Sequence, residues 1–573
     1  MPIRIPMPLA MLMAVILSAS PLGAQMVEPA PADVGFPIAD RLVHDACGTC
    51  HAPDAGGRLS RISERRDTPE GWERTIRRMV ALNGLALDPN DARAIVKTLS
   101  NDLGLSPQEA LPARFEVERR IVDFVYGADR EAEQTCSACH SIGRVMNQRR
   151  TRVEWELLVS MHRGYYPLVD SQVFRRPLPP GTPDSLRRPP ADESDDRQTV
   201  DRVIDHLARA FPLRTPEWAA WSATMRVPRL EGGWVLSGHE PGPGPVFGRV
   251  TLTPVPGADG EFESEISFIR PGDGSRVTRR GRVIVYTGFQ WRGRSTPPDD
   301  DDSWREVMFI DRDGQGASGR WFQGAYDEMG LDVTLRRDTG APTIAGVHPG
   351  AVRTAAGRQE VAIHGANLGS VTASDIDLGP GVSVTAVRDV SATQATVVLD
   401  VSDAAPVGVR DLRVGPVVHP DALTVYDHVD SIRVRPGSGL ARVGGLVFSK
   451  QYQQFEAWAY HAGSDGEPDT DDDLPLGPVE ASWTLEEYAA TYEDDDIGFV
   501  GTIDASGLFT PAADGVNPQR MDPNGSNARN NVGDVWVVAT HTPEGGASPL
   551  RARAHLLVTV PLYMRWEPRP TAQ

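Results

Sequence analysis

The sequence predicts a multidomain chain in which a mainly α-helical unit is followed by three all-β domains, an antiparallel barrel and then two immunoglobulin-like sandwiches. Three observations predict it. A length of 573 residues suits about four domains at roughly 150 residues each. Apolar residues recur at helical spacing over 68–82, 89–103, 112–126, 151–163 and 196–210, then switch to period two from Gly233 onward. Charge divides at the same place. Residues 25–209 carry 26 Arg and Lys against 29 Asp and Glu, whereas the remainder carries 31 against 49 and holds most of the net charge of −20. A balance that acidic excludes a polyanion-binding role, so no nucleic-acid partner is expected.

Residues 1–24 read as a processing signal. Arg4 supplies a positive start, 9–19 a short apolar core, and Ser20-Pro21-Leu22-Gly23-Ala24 a small-residue site for cleavage near Ala24. The apolar stretch is well short of the ~20 residues that span a bilayer, and no membrane span is expected elsewhere, so the mature chain is expected in the periplasm. The helical domain occupies 25–210. Within 230–340, short strands at 246–254, 261–269, 282–287, 305–310, 319–323 and 331–335, bounded by Gly and Pro, predict an antiparallel barrel or sandwich.

Residues 341–426 contain Pro342-Thr343-Ile344 and Val361-Ala362-Ile363-His364-Gly365, a pattern similar to the immunoglobulin-like IPT/TIG domains. Residues 427–573 contain Gly501-Thr502-Ile503 and Ser506-Gly507-Leu508-Phe509-Thr510-Pro511, which resembles the turn signature of bacterial Ig-like repeats. Acidic runs at 299–302, 465–473 and 493–496 lack the alternation and the sixth-position Gly of a calcium-binding EF-hand loop, and read as solvated loops.

The chemistry sits in the helical unit. Cys47-Gly48-Thr49-Cys50-His51 and Cys136-Ser137-Ala138-Cys139-His140 both match C-x-x-C-H, the attachment motif of c-type haem. One helical turn places two thiols against one porphyrin edge, and the next residue brings its imidazole to the iron. Zinc or thioredoxin-like sites use Cys-x-x-Cys pairs, but neither requires His directly after both copies. The unit is thus read as a dihaem cytochrome c domain with two covalently bound haem c groups, held by Cys47, Cys50, Cys136 and Cys139, with His51 and His140 on the irons.

An internal repeat suggests the sixth ligands. Thr68, Trp72 and Met79 align with Thr151, Trp155 and His162. Seven residues past the Trp is the same helix face two turns on, so Met79 and His162 are expected to ligate, with His44 and Met161 as competitors. His/Met ligation gives the first haem the higher potential and bis-His ligation gives the second the lower. Arg144, Arg149, Arg150 and Arg152 read equally as surface partners of haem propionates or as solvated helix charges.

Two C-x-x-C-H motifs, Trp-centred ligand helices and three β-domains behind a signal resemble the α subunit of quinohaemoprotein amine dehydrogenase over essentially the whole mature chain. The resemblance implies a periplasmic heterotrimer with a β-propeller subunit and a small subunit carrying a cysteine tryptophylquinone. It also implies oxidation of primary amines to aldehydes and ammonia, with a soluble cytochrome c or cupredoxin as electron acceptor. Residues 47, 50, 136 and 139 then anchor haem, His51 and His140 are proximal ligands, and Met79 and His162 distal. The chain has four cysteines, all committed to haem, so the quinone must lie on another chain and no catalytic residue is assigned here. Two other classes remain open on the sequence alone. A dihaem peroxidase does not predict the long β-rich tail, and a free-standing secreted dihaem carrier would use the β-domains as a binding scaffold.

Overall fold

Side-chain caps decide where the helices begin. The computed structural model describes residues 34–114, 126–137, 140–174, 197–300, 302–323, 329–446, 449–488, 495–522, 524–543 and 548–560. The expected signal, most of the expected helix 112–126 and Cys139 lie outside them. Asp40 caps α1 (Arg41–Cys47), accepting from the Val43 amide. β1 (Arg65–Asp67) leads into α2 (Pro69–Asn83), capped by Thr68 and ended by Gly84 at φ +70°. Asp88 caps α3 (Pro89–Asp102), and Ser106 forms a reciprocal capping box with Glu109 on α4 (Pro107–Ala110). The second half repeats the plan: α5 (Arg130–Cys136) capped by Asp129, α6 (Gly143–Met146), β2 (Gln148–Arg150), then α7 (Arg152–Tyr165) capped by Thr151. Two further helices, α8 (Thr199–Ala210) and α9 (Pro216–Ser222), complete the unit.

β1 and β2 join the halves. They pair antiparallel as Arg65 with Arg150, Arg66 with Arg149 and Asp67 with Gln148. Exchanging the halves maps this register onto itself, so a local twofold passes between Arg66 and Arg149 and the sequence repeat is a structural repeat. Each half has its own apolar cluster. Val43, Cys47, Leu59, Trp72, Ile76, Ile95 and Leu99 pack in the first. The second gathers Ala132, Ile142, Trp155, Val159, Phe174, Val203 and Ile204, with Cys136 partly buried against it.

The next unit is a closed barrel, which resolves the choice between barrel and sandwich. Its strands are β3 (Gly232–Glu240), β4 (Gly244–Pro254), β5 (Glu261–Arg270), β6 (Ser275–Tyr286), β7 (Gln290–Thr296), β8 (Trp304–Ile310), β9 (Gly316–Gln323) and β10 (Gly330–Arg337), with β10 returning to β3. The sequence reading missed β3, whose Trp234-Val235-Leu236 run between glycines breaks the period of two, β7, whose Gln, Arg and Gly residues mask its alternation, and the first half of β6. Trp234, Trp291 and Trp321 fill the interior.

Glu306 also lies inside, where it accepts from Trp291 Nε1 at 2.9 Å. Burial pushes its carboxyl up to about 7 despite the Trp291 and Ser295 hydrogen bonds and the Arg279 charge. The contribution to stability is therefore full below 4.5 and lost as pH rises through 7. Glu306→Gln is expected to remove that loss, on the order of 1–3 kcal/mol at pH 8. Urea midpoints of both proteins at pH 5 and pH 8 check it; an unchanged pH dependence in the variant contradicts it.

The third unit is a sandwich of β11 (Thr343–His348), β12 (Ala351–Arg353), β13 (Arg358–Ala366), β14 (Ile376–Asp377), β15 (Val382–Arg388), β16 (Gln394–Val401), β17 (Gly408–Val414) and β18 (Val417–Tyr426). Sheets β11-β13-β16-β15 and β12-β18-β17-β14 share a core in which Val361 and Leu399 meet Leu412 and Leu423. The fourth unit surrounds Phe455, Phe509, Val537 and Leu556. Its Gly507 turns at φ +80°, where a Cβ would lie 2.4 Å from the Phe455 carbonyl oxygen.

Parts of the acidic runs depart from the expectation of solvated loops. Asp473 is buried against Arg433, Asp496 is buried against Arg520, and Asp472 accepts from the Ser464 amide and hydroxyl at 2.7 Å each. Asp472 closes its own loop, and Asp473 and Asp496 tie theirs to arginines elsewhere in the domain.

The barrel holds the first half of the helical unit. Glu70 at the start of α2 pairs with Arg292 on β7, Lys97 on α3 reaches Glu261 at 2.9 Å, and Asn101 accepts from the Thr287 amide at 2.8 Å. Tyr286 of β6 packs against the first apolar cluster.

Candidate functional site

In both halves a short helix ends on the first cysteine of the motif. After α1 the chain keeps turning, with Cys50 and His51 amides donating to the Cys47 carbonyl at 3.2 and 2.9 Å. Cys47 and Cys50 are free thiols, one buried and one exposed, and Cys136 is a free, half-buried thiol. Burial, reinforced by Asp129, pushes the Cys136 thiol up to about 12. Cys139 falls outside the described residues.

The two motif histidines are oriented alike. His51 Nδ1 lies 2.9 Å from the Ser60 carbonyl oxygen, and His140 Nδ1 lies 2.8 Å from that of Ser141. A carbonyl only accepts, so Nδ1 carries the proton and Nε2 keeps its lone pair. That is the tautomer a metal-binding imidazole adopts, with its outer N–H fixed. Burial first, then the Arg144 charge, brings His140 down to about 4, with His162 and Arg74 adding to the fall. His140 is therefore neutral, and His162 is near enough for its charge to be felt there.

Met79 lies just before the last turn of α2, partly buried. His162, also partly buried, donates Nδ1–H to the Leu158 carbonyl at 2.8 Å, one helical turn back, and so presents Nε2 as well. Its competitors fare differently. His44 uses Nε2 on the Ile38 carbonyl at 2.7 Å, which turns that nitrogen away from any ligand. Met161, next to His162 on α7, is rotated about 100° from the helix face shared by Trp155 and His162.

The arginines read as surface groups are not all at the surface. Arg149 and Arg150 are 7% and 5% exposed and belong to a buried ladder along β1 and β2. Glu109 accepts from Arg66 Nη1 and Nη2 at 2.8 and 2.7 Å, from Arg149 Nε at 3.1 Å and from Thr215 Oγ1 at 2.8 Å. Burial alone would raise its carboxyl; Arg66 and Arg149 outweigh that and hold it at about 2. Arg65 pairs with Asp67 and stacks on Trp72 at 4.6 Å, while Arg150 pairs with Glu154 at 3.3 Å and lies over Trp155 at 5.6 Å. Arg152 is exposed and pairs with Glu156 and Asp205.

Sequence reading missed this ladder. Its signal was available: a doubled arginine precedes each Thr cap, Arg65-Arg66-Asp67-Thr68 and Arg149-Arg150-Thr151. The halves also exchange a residue pair. Gly71 leaves room for the Asp67 carboxylate, which would lie 1.9 Å from a Cβ there; in the second half Glu154 takes the Gly position and Arg150 the Asp position.

The donor chemistry of both pockets fits haem. Two thiols and an imidazole with a free Nε2 in the first pocket, and the described thiol of Cys136 with such an imidazole in the second, are what c-type attachment uses. Buried donors without acceptors, Arg65 Nε and Trp155 Nε1, suit acceptor-only carboxylates such as propionates. One other group looks metal-like among the described residues, Asp427, His428 and His461. Hydrogen bonds account for it, since His461 Nδ1 accepts from the Gly463 amide at 3.1 Å and so places its proton on Nε2, 3.0 Å from Asp427.

Among the described residues no helix is long and apolar enough to cross a membrane. A search of curated proteins finds no match. Among solved structures, a redesigned β-barrel matches at 16% identity and TM-score 0.17, over 19% of this chain and 90% of its own. A de novo designed fluorescence-activating β-barrel matches at 19% identity and TM-score 0.16, over 19% and 92%. Family models are far more specific. "Quinohemoprotein amine dehydrogenase A, alpha subunit, haem binding" matches residues 38–177, and the alpha-subunit domain II, domain III and domain IV models match 228–338, 341–427 and 432–571. The chain therefore belongs to the quinohemoprotein amine dehydrogenase alpha-subunit family and is the haem-binding subunit of an oxidoreductase that acts on amines.

Proposed function

We propose that this chain is a dihaem electron relay, taking electrons from a quinone on a partner subunit and handing them to a soluble cytochrome c or copper protein. The observation that carries the reading is the shared orientation of His51 and His140, each with Nδ1–H held by a backbone carbonyl and Nε2 left to bind. Bound haem supplies a one-electron iron couple. The chain's own residues do the rest. Cys47 and Cys50, and Cys136 and Cys139, anchor one group each through thioether bonds. Trp72 and Trp155 wall the pockets, and Met79 and His162 complete the coordination. Unequal distal ligands separate the two potentials and give the relay a direction.

With every cysteine committed, a cysteine tryptophylquinone must be borne by a partner, and amine oxidation to aldehyde and ammonia occurs there. The complex is read as a periplasmic heterotrimer whose other members are a β-propeller subunit and the small quinone-bearing chain. Purification under native conditions tests this: the small quinone-bearing chain is expected to accompany this one, and a chain that purifies alone contradicts it.

Ligation has its own test. Thioether sulfur on iron gives a weak far-red charge-transfer band that bis-imidazole ligation lacks. Met79→His is expected to abolish that band and lower one midpoint potential while the other stays fixed. An unchanged spectrum shows Met79 to be a core residue.

A further inference from the structure

The two ligand helices share sequence, register and capping, yet their tryptophans differ in one respect. Trp72 Nε1–H donates to the Leu103 carbonyl at 3.1 Å. Trp155 is as deeply buried, each being 1% exposed, but among the described residues its Nε1–H has no acceptor. A buried donor left unpaired costs roughly 1–3 kcal/mol, and native proteins rarely keep one. An acceptor beyond the described residues is needed.

The surroundings define its chemistry. Trp155 packs in the cluster that includes Ile142, Val159 and the flank of Cys136, on the helix face that carries His162 two turns later. The Arg150 guanidinium lies over its ring at 5.6 Å. An N–H donor beside a guanidinium, within the pocket of an attachment cysteine, fits an anionic group that only accepts: a carboxylate.

We propose that Trp155 Nε1 donates a hydrogen bond to a propionate of the second haem, and that Trp72, already satisfied by Leu103, does no such thing for the first. This rests on the reading that the second motif binds haem. The pseudo-twofold thus hides a chemical asymmetry: one tryptophan serves the protein core and the other serves the cofactor. By partly neutralising the propionate, the Trp155 donor disfavours the ferric state, and so raises the potential of a site whose bis-imidazole ligation lowers it.

The experiment uses the intact complex with Trp155→Phe and, as control, Trp72→Phe. Phe keeps an aromatic ring at the position and removes the donor together with part of the indole's volume, a loss that the Trp72→Phe control shares. Haem retained after acid-acetone washing is counted first; two groups per chain keep the underlying reading, and one group in the unmodified protein defeats that reading rather than this proposal. Spectroelectrochemical titration then follows both midpoints. Trp155→Phe is expected to move one midpoint, that of the haem lost in a Cys136→Ala/Cys139→Ala double variant, to lower potential, and Trp72→Phe to move neither. Two retained haems with unchanged midpoints in Trp155→Phe overturn the proposal.

A second readout needs no substitution. In the unmodified protein the propionate-bending Raman band of one haem is expected to shift in deuterated buffer only slowly, as a buried indole N–H exchanges. An immediate shift, the mark of a bridging water, or no shift from either haem, also overturns it.

Discussion

Glu109→Gln is expected to destabilise the helical unit by about 3–5 kcal/mol, the cost of stripping the counter-charge from buried guanidinium groups. Arg66 is wholly buried and Arg149 nearly so, and both rely on the Glu109 carboxylate. The loss is large because β1 and β2 meet there, so both halves lose their common support at once. Its pH dependence has a fixed sign. The carboxyl is held at about 2 against an ordinary 4.5, so its contribution is complete above 4.5 and fades as pH falls toward 2. Denaturant titration followed by helical circular dichroism at pH 7 and pH 3 checks both points: the gap between the two proteins should narrow at the lower pH. A gap that stays constant means that the carboxyl is no more acidic in the folded chain than in the unfolded one, and contradicts its pairing with the arginines.

Replacing Cys47 and Cys50 together with Ala is expected to remove half of the covalent haem. The two apolar clusters are separate, one around Trp72 and Cys47 and the other around Trp155 and Cys136, so the second group should survive. Haem staining after denaturing electrophoresis and mass spectrometry of the intact chain report the result directly. The chain is expected to lose the mass of one haem and retain the other. Loss of both would mean that the pockets assemble as one unit through the β1–β2 ladder.

What could be read from the sequence depended on how local the signal was. The caps at Thr68 and Thr151, the two C-x-x-C-H runs and the Trp-to-ligand spacing lie within single helices or turns. α2 and α7 accordingly fall within a residue or two of the expected ranges at their starts and ends. The barrel strands with clean alternation, such as Glu261–Arg270, were equally legible. β7 was not, because Arg292 points outward to the Glu70 carboxylate and Arg294 to the Ser303 hydroxyl, while Gly293 makes room for the Glu306 side chain.

The doubled arginines mark the repeat of the ladder but not its burial. Nothing local distinguishes a buried Arg150 from an exposed Arg152 two residues later; burial comes from the antiparallel partner 85 positions earlier in the chain. Trp155 shows the same limit. Its repeat partner suggests equivalence, and only the Leu103 carbonyl, supplied by the end of α3 to one half alone, breaks it.

Electrons released from an amine are expected to reach both pockets of this chain. An anaerobic absorbance titration of the purified complex with a primary amine and no external acceptor tests it. Both haems should become reduced in sequence, the proposed His/Met site first and the proposed bis-His site after it. In a complex carrying the Cys136→Ala/Cys139→Ala chain only the first step should remain. Reduction of the quinone with both haems left oxidised would contradict it.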